Sequence, residues 1–248
     1  MTTKITDAAT ALLLQGTVVA DEDKRPLTVY HGSGATIERF EYTFTNAGND
    51  QLGSGFYFTN NLEEARGYAT RRLGPDLPKP GGEEAPNVVH AWLSIKKPLT
   101  PTLIGRGLSA AVVEQLLRKS PCLNEALENF GDTEFEGVEK ILKEAVAMYV
   151  AHPKEKIPLL KQLFKVANDF YPEHIAEFNK AVFEVLGYDG VVETFENGSF
   201  DNGTTHYVAF FPEQVVIQFS EPVVDGTADR HQDTASEESP APDAEGPA

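Results

Sequence analysis

Cysteine is nearly absent: Cys122 is the only one in 248 residues. A lone thiol excludes an internal disulfide and a thiolate metal cluster. Cys122 lies in a stretch of helical patterning, so packing in or beside a core is its expected role rather than nucleophilic attack. A chain without disulfides suits the cytoplasm. Long apolar runs are also missing. The patch Ala11-Leu12-Leu13-Leu14 is far shorter than the roughly 20 residues of a membrane span. It is also shorter than the 7–15 residues or so of a secretory apolar region. It reads as a short amphipathic helix packed on the domain, and no membrane partner is expected.

Basic residues are scarce as well. Lys and Arg number 21 against 38 Asp and Glu, a net charge of −17. Neutralisation of phosphates supplies most passive affinity for nucleic acid, so this chain does not attract it through charge alone. The best basic cluster is Arg66, Arg71 and Arg72 around Tyr68. No His, Cys, Asp or Glu set has ligand spacing, so no metal is expected.

Hydrophobic residues make up 41% of the chain, enough for one sizeable core, or one core plus a helical appendage. Residues 1–26 read as an N-terminal helix and a charged connector. Residues 225–248 are polar, acidic and Pro-containing, bury no apolar face, and read as a disordered tail. The domain between them, 27–224, divides in three. Strand-like runs lie at 27–31, 55–59 and 88–95, with a helix over 61–72 that Asn60 or Asn61 can cap. Helical patterning fills 110–119, 138–149, 157–167 and 174–186, ending at Gly187 as a C-cap. Strands return at 190–194, 206–211 and 214–219. The order is strands, helix, strands, helices, strands. That predicts an α+β domain carrying a helical insertion over about 101–186, not an alternating doubly wound sheet.

Three pieces carry chemistry. Tyr30-His31-Gly32-Ser33 closes the first strand; Gly32 lets a ligand approach the backbone, and His31 offers a ring nitrogen. Gly53-Ser54-Gly55-Phe56-Tyr57-Phe58 follows, with Tyr68 eleven residues beyond Tyr57. Two aromatics on a strand and the next helix can clamp a planar heterocycle. The closing piece is Gly187-Tyr188-Asp189-Gly190-Val191-Val192, then His206-Tyr207-Val208-Ala209-Phe210-Phe211-Pro212-Glu213-Gln214-Val215.

Together these pieces resemble the poly(ADP-ribose) polymerase-like, His-Tyr-x branch of the ADP-ribosyltransferases, in its bacterial and phage-associated form. The resemblance covers about residues 27–100 and 186–220, and implies a split β-sandwich that binds NAD⁺ as substrate. It also implies roles. His31 would hydrogen-bond the adenosine-side ribose. Gly32 would present its backbone to the nicotinamide amide, with Ser33 in support. Tyr68 would stack on the nicotinamide ring and Tyr57 would pack on its other side. From charge, Arg66 or Arg71 would meet the pyrophosphate. The family places a Glu at the head of the closing strand, where this chain has His206. That Glu would bind the nicotinamide-ribose 2′-hydroxyl and stabilise the cation left when nicotinamide departs. An imidazole supplies less electrostatic help, which favours single ADP-ribose transfer over polymer synthesis. Glu193, Glu196 and Glu213 are alternative carboxylates, with Glu193 best placed. The Arg, Ser-Thr-Ser, Glu-x-Glu pattern of the toxin-like branch is absent, because Glu193-Thr194-Phe195-Glu196 has one residue too many.

The expected function is mono-ADP-ribosylation of a protein or nucleic-acid acceptor. The competing readings are an NAD⁺ glycohydrolase and a catalytically inactive binding or interaction module. The acceptor is unnamed by the sequence. A toxin with an antitoxin or regulatory partner, a phage-delivered protein and a defence component all fit.

Overall fold

The computed structural model describes residues 7–42, 55–70, 85–120, 156–157, 160–161, 163–164, 174–195 and 203–223. Cys122, Arg71, Arg72, Glu196, the expected helix at 138–149 and the tail lie outside the described residues.

Helix α1 (Ala8–Leu14) starts where the Asp7 carboxylate accepts from the Ala9 and Thr10 amides at 3.3 and 2.9 Å. It buries Leu14, and the chain beyond it docks on the sheet through Val18 N–H to Ile95 O, 2.7 Å. Strands β1 (Val29–Ser33), β2 (Phe56–Thr59) and β3 (Asn87–Leu93) surround helix α2 (Leu62–Thr70) in sequence. Short strand β4 (Pro98–Leu99), helix α3 (Pro101–Ile104), strand β5 (Leu108–Ser109) and helix α4 (Ala110–Lys119) follow. Then come β6 (Lys156–Ile157), helix α5 (Ile175–Leu186), β7 (Gly190–Phe195), β8 (Thr204–Ala209) and β9 (Val215–Pro222).

The strands hydrogen-bond in the order β4-β7-β8-β2-β1-β3-β9, antiparallel except for β4 with β7. The joint between β1 and β2 is thin, with Tyr30↔Thr59 its registered pair, whereas β1 and β3 pair from Val29↔Ala91 to Ser33↔Asn87. That thin joint is a seam between two half-sheets, β4-β7-β8-β2 and β1-β3-β9, of the one seven-stranded sheet. This is the α+β arrangement expected.

Three apolar clusters hold it. One face of β7 and β8 packs on α4, α5, Leu160, Leu163 and Phe164, so the described part of the helical segment covers the sheet. The opposite face packs Val19, Phe40, Phe56, Phe58, Leu93 and Tyr207. Ala65 and Ala69 of α2 close on Val88 and Tyr30. Strand β3 is buried on both faces along its whole length, Asn87 and His90 included. Fully burying Phe178 or Phe210 contributes roughly 1.5–3 kcal/mol each.

The closing motif turns out to be a framework of buried polar bonds. The Asp189 carboxylate accepts from the amides of Lys96 and Lys97, both at 2.8 Å. The Gln214 amide group donates to Ser94 O and Asp189 O, also at 2.8 Å each. These bonds tie the β3–β4 turn, the start of β7 and the β8–β9 turn together. Gly187 caps α5 with φ 76°, donating to Phe183 O at 2.8 Å, as its sequence position predicts. One expected helix start is corrected: Ile157 lies in β6, paired with Leu108 of β5, because these two short strands close the base of the helical segment.

Candidate active site

The seam between the half-sheets positions the predicted residues. The registers Tyr30↔Thr59, Thr59↔His206 and His206↔Glu193 run as one row across β1, β2, β8 and β7. Residues opposite one another across strands share a face, so Thr59, His206 and Glu193 project together. His206 thus occupies a position inside the sheet, near the head of β8.

Helix α2 folds over this row. Asn61 caps it, its side-chain oxygen accepting from the amides of Glu63 and Glu64 at 3.0 and 3.2 Å. Asn60 locks the β2–α2 turn to β8, bonding Thr205 through both its amide (3.1 Å) and its side chain (2.9 Å). The result delivers Glu64 to the row. One carboxylate oxygen lies 2.7 Å from His206 Nε2, and the other accepts from Thr59 Oγ1 at 2.5 Å. A carboxylate only accepts, so Nε2 carries a proton and the ring is held in one orientation. Both side chains are mostly buried, 15% exposed for His206 and 14% for Glu64. Phe195 closes the other side of the imidazole, edge-on at 4.8 Å.

Glu193 stands opposite His206 on β7, and its Oε2 is buried without a hydrogen-bond partner among the described residues. Tyr68 lies one helical turn beyond Glu64 and is 47% exposed. Tyr57, two residues before Thr59 on the same face of β2, packs against the helical cluster.

His31 donates from Nδ1 to Tyr57 O at 2.7 Å, because a carbonyl can only accept. Its Nε2 is therefore the nitrogen left to accept. Burial lowers the His31 pKa, the Tyr57 carbonyl opposing this, so the ring is neutral at pH 7. The ring packs on Phe40 and Phe58 at 5.2 and 5.5 Å, residues of the opposite face. Ser33 Oγ accepts from the Ala35 amide at 3.1 Å and shapes the turn after β1.

Two residues sit differently from the expectation drawn from sequence. The direction in which a Gly32 side chain would point is filled by α2: a Cβ there would lie 1.8 Å from Ala65 O. Arg66 is not free for a pyrophosphate, since Glu63 and Glu221 hold its guanidinium at 2.5 and 3.0 Å. Glu213 lies in the 3₁₀ turn Pro212–Gln214, away from the row.

Glu64 is the residue that sequence reading missed. Its position three residues after Asn61 suggests a capping-box side chain that bonds its own helix start. The signal that finds it is the i, i+4 spacing to Tyr68, which puts both on one helix stripe.

No group of three or more His, Cys, Asp or Glu residues able to hold a metal occurs among the described residues, and no described helix is long and apolar enough to cross a membrane.

A split mixed sheet with a His-Gly strand at the seam and an aromatic-bearing helix over it defines an ADP-ribosyltransferase-type domain. The model of one family, the ADP-ribosyltransferase in polyvalent proteins, matches residues 21–216, and the chain belongs to that family. The matched span includes the helical segment that the motifs left unassigned. Comparison with curated proteins and with solved structures gives no match.

Proposed function

We propose that the protein cleaves NAD⁺ at the nicotinamide–ribose bond and transfers a single ADP-ribose to a protein or nucleic-acid acceptor. The observation that carries this reading is the juxtaposition of His206, held by Glu64, with the exposed ring of Tyr68 one turn away on α2. The residues that support the substrate are His31, whose Nε2 is left to accept, the half-exposed Tyr68, and a buried carboxylate oxygen on Glu193 with no partner among the described residues.

The chemistry follows from these groups. Tyr68 stacks on the nicotinamide, and Tyr57 supports the other side of the pocket. The backbone of Gly32 and the turn at Ser33 orient the nicotinamide amide. His31 Nε2 accepts a hydroxyl of the adenosine-side ribose. The C1′–N bond breaks with its electron pair leaving on nicotinamide, and positive charge develops on the ribose. His206 meets the 2′-hydroxyl, and the negative field of the row stabilises that charge. The acceptor nucleophile then forms the new bond to C1′ and loses a proton. Substitution of His206 for a strand carboxylate favours one transfer over chain growth.

The test uses labelled NAD⁺ with the purified protein, alone and with lysate, followed by protease or nuclease. Nicotinamide release with label retained on macromolecules supports transfer, and the digestion that removes it names the acceptor class. Release without labelled macromolecule means that water is the acceptor. Absence of release overturns the enzymatic reading.

A further inference from the structure

We infer that Glu64 is the carboxylate that this chain substitutes for the one its closing strand lacks, acting through His206 as a positioning residue. The inference rests on the proposed NAD⁺ cleavage. Three observations carry it.

The first is geometric. Glu64 divides its two oxygens between His206 Nε2 (2.7 Å) and Thr59 Oγ1 (2.5 Å), and Thr59 Oγ1 also accepts from the Asn61 amide at 3.1 Å. Two neighbouring strand residues and the helix start thus fix the carboxylate. The second is economy of local structure. Asn61 caps α2 through its own side chain, and its amide goes to Thr59, so helix α2 does not need Glu64 to complete its first turn. The third is burial. A mostly buried carboxylate–imidazole pair at the seam costs desolvation that a structural role alone would meet better with apolar groups.

The chemical consequence is specific. With Nε2–H donated to Glu64, the ring in its neutral form presents its other nitrogen, Nδ1, as the acceptor for the ribose 2′-hydroxyl. In that form the pair carries the Glu64 charge, delivered through the ring instead of from the strand. The charge that opposes the developing ribose cation therefore comes from helix α2, the element that also carries Tyr68. Ring stacking and charge placement are set by one rigid body. Any shift of α2 alters both together.

The experiment measures nicotinamide release, NAD⁺ affinity and thermal unfolding for His206→Ala, Glu64→Gln, Glu64→Asp and the double variant His206→Glu/Glu64→Gln. Glu64→Gln keeps size, removes the charge and leaves one acceptor oxygen for His206. It is expected to lower kcat on the order of 10²-fold with KM nearly unchanged, and Glu64→Asp to recover part of that. The double variant is expected to exceed Glu64→Gln alone, because a carboxylate on the strand makes the one on the helix dispensable. A purely structural Glu64 would give no such rescue. Wild-type turnover in Glu64→Gln beside an inactive His206→Ala overturns this inference and leaves the proposed reaction standing. A double variant no better than Glu64→Gln, with an unchanged melting temperature, overturns it too. Absence of nicotinamide release from the wild type removes both.

Discussion

Replacing Gly32 with alanine should damage the protein through helix α2 rather than through the ligand. A Cβ at Gly32 would stand 1.8 Å from Ala65 O and 2.7 Å from Ala69 N, both main-chain atoms that no rotamer change can move. Ordinary contact begins near 3.4 Å, so α2 must retreat by roughly 1.6 Å at this point. Ala65 and Ala69 are buried against β1 and β3, so the retreat opens a packed cluster and should cost about 1–3 kcal/mol. The same movement carries Glu64 and Tyr68 away from the row. A displacement of about 1 Å in a positioning group costs on the order of 10²-fold in rate. Gly67 on the same helix is the control, since a Cβ there meets nothing within 4 Å. Gly67→Ala should stabilise by about 0.5–1 kcal/mol, the ordinary helical gain, and leave turnover intact. Thermal unfolding, NAD⁺ affinity and nicotinamide release read the two variants. A Gly32→Ala protein with an unchanged melting temperature and lost NAD⁺ affinity would refute the helix-packing argument and restore the ligand-approach reading.

Tyr68→Ala should weaken NAD⁺ binding by about 1 kcal/mol or more, and Tyr57→Phe by less, because the first removes a half-exposed ring and the second only a hydroxyl from a ring that packs on the helical cluster. Equal affinities in wild type and Tyr68→Ala would sink the clamp. Stability should fall on acidification below the ordinary imidazole pKa. Burial lowers the pKa of both His31 and His90; the Tyr57 carbonyl opposes this at His31, and at His90 Glu221 opposes it while Arg66 assists. The unfolded chain therefore takes up protons first, and stability declines by up to about 1.4 kcal/mol per pH unit for each ring. Urea unfolding at a series of pH values checks this, and a slope unaltered in His31→Gln would contradict it. Asp189→Ala strips two backbone amides of their shared acceptor and should destabilise by about 3 kcal/mol, with turnover per folded molecule preserved.

The sheet was legible because its strands announce themselves through β-branched and aromatic runs, and helix α5 because Gly187 marks its end. Strand β4 and the β5–β6 pair were not, since two residues carry no periodicity. Within the site, His31, Tyr68 and His206 stood out by spacing. The partner of His206 did not. Glu64 and His206 are 142 residues apart, and the first turn of a helix is where acidic residues are expected for reasons of capping and dipole alone. Arg66 misled for the complementary reason: charge suggested a phosphate, while Glu63 beside it and Glu221 across the sheet already supply its anions. Gly32 is a glycine that sequence ties to a ligand and packing ties to a helix. Local pattern names the residue; only the fold says which neighbour needs the missing side chain.

Glu193 decides how the row divides its labour. Its Oε2 is buried without a hydrogen-bond partner among the described residues, while His206 opposite is bonded to Glu64. An unsatisfied buried carboxylate oxygen costs about 1–3 kcal/mol or more, and a protein that keeps one gains nothing in stability by it. A ribose hydroxyl entering the seam would satisfy it. The expected signature is a trade-off. Glu193→Met, unbranched and of similar length, should raise the melting temperature of the ligand-free protein, equivalent to about 1–3 kcal/mol. The same change should weaken NAD⁺ binding, so that the thermal shift produced by NAD⁺ shrinks relative to wild type. His206→Ala should instead lower turnover on the order of 10²-fold with NAD⁺ affinity largely kept, because its contribution is to the transition state. The two variants thus separate substrate capture from charge stabilisation. A Glu193→Met protein that is less stable and binds NAD⁺ as before would show that the carboxylate serves the fold. An active His206→Ala beside a Glu193→Met that binds NAD⁺ but does not turn over would transfer the transition-state role to Glu193.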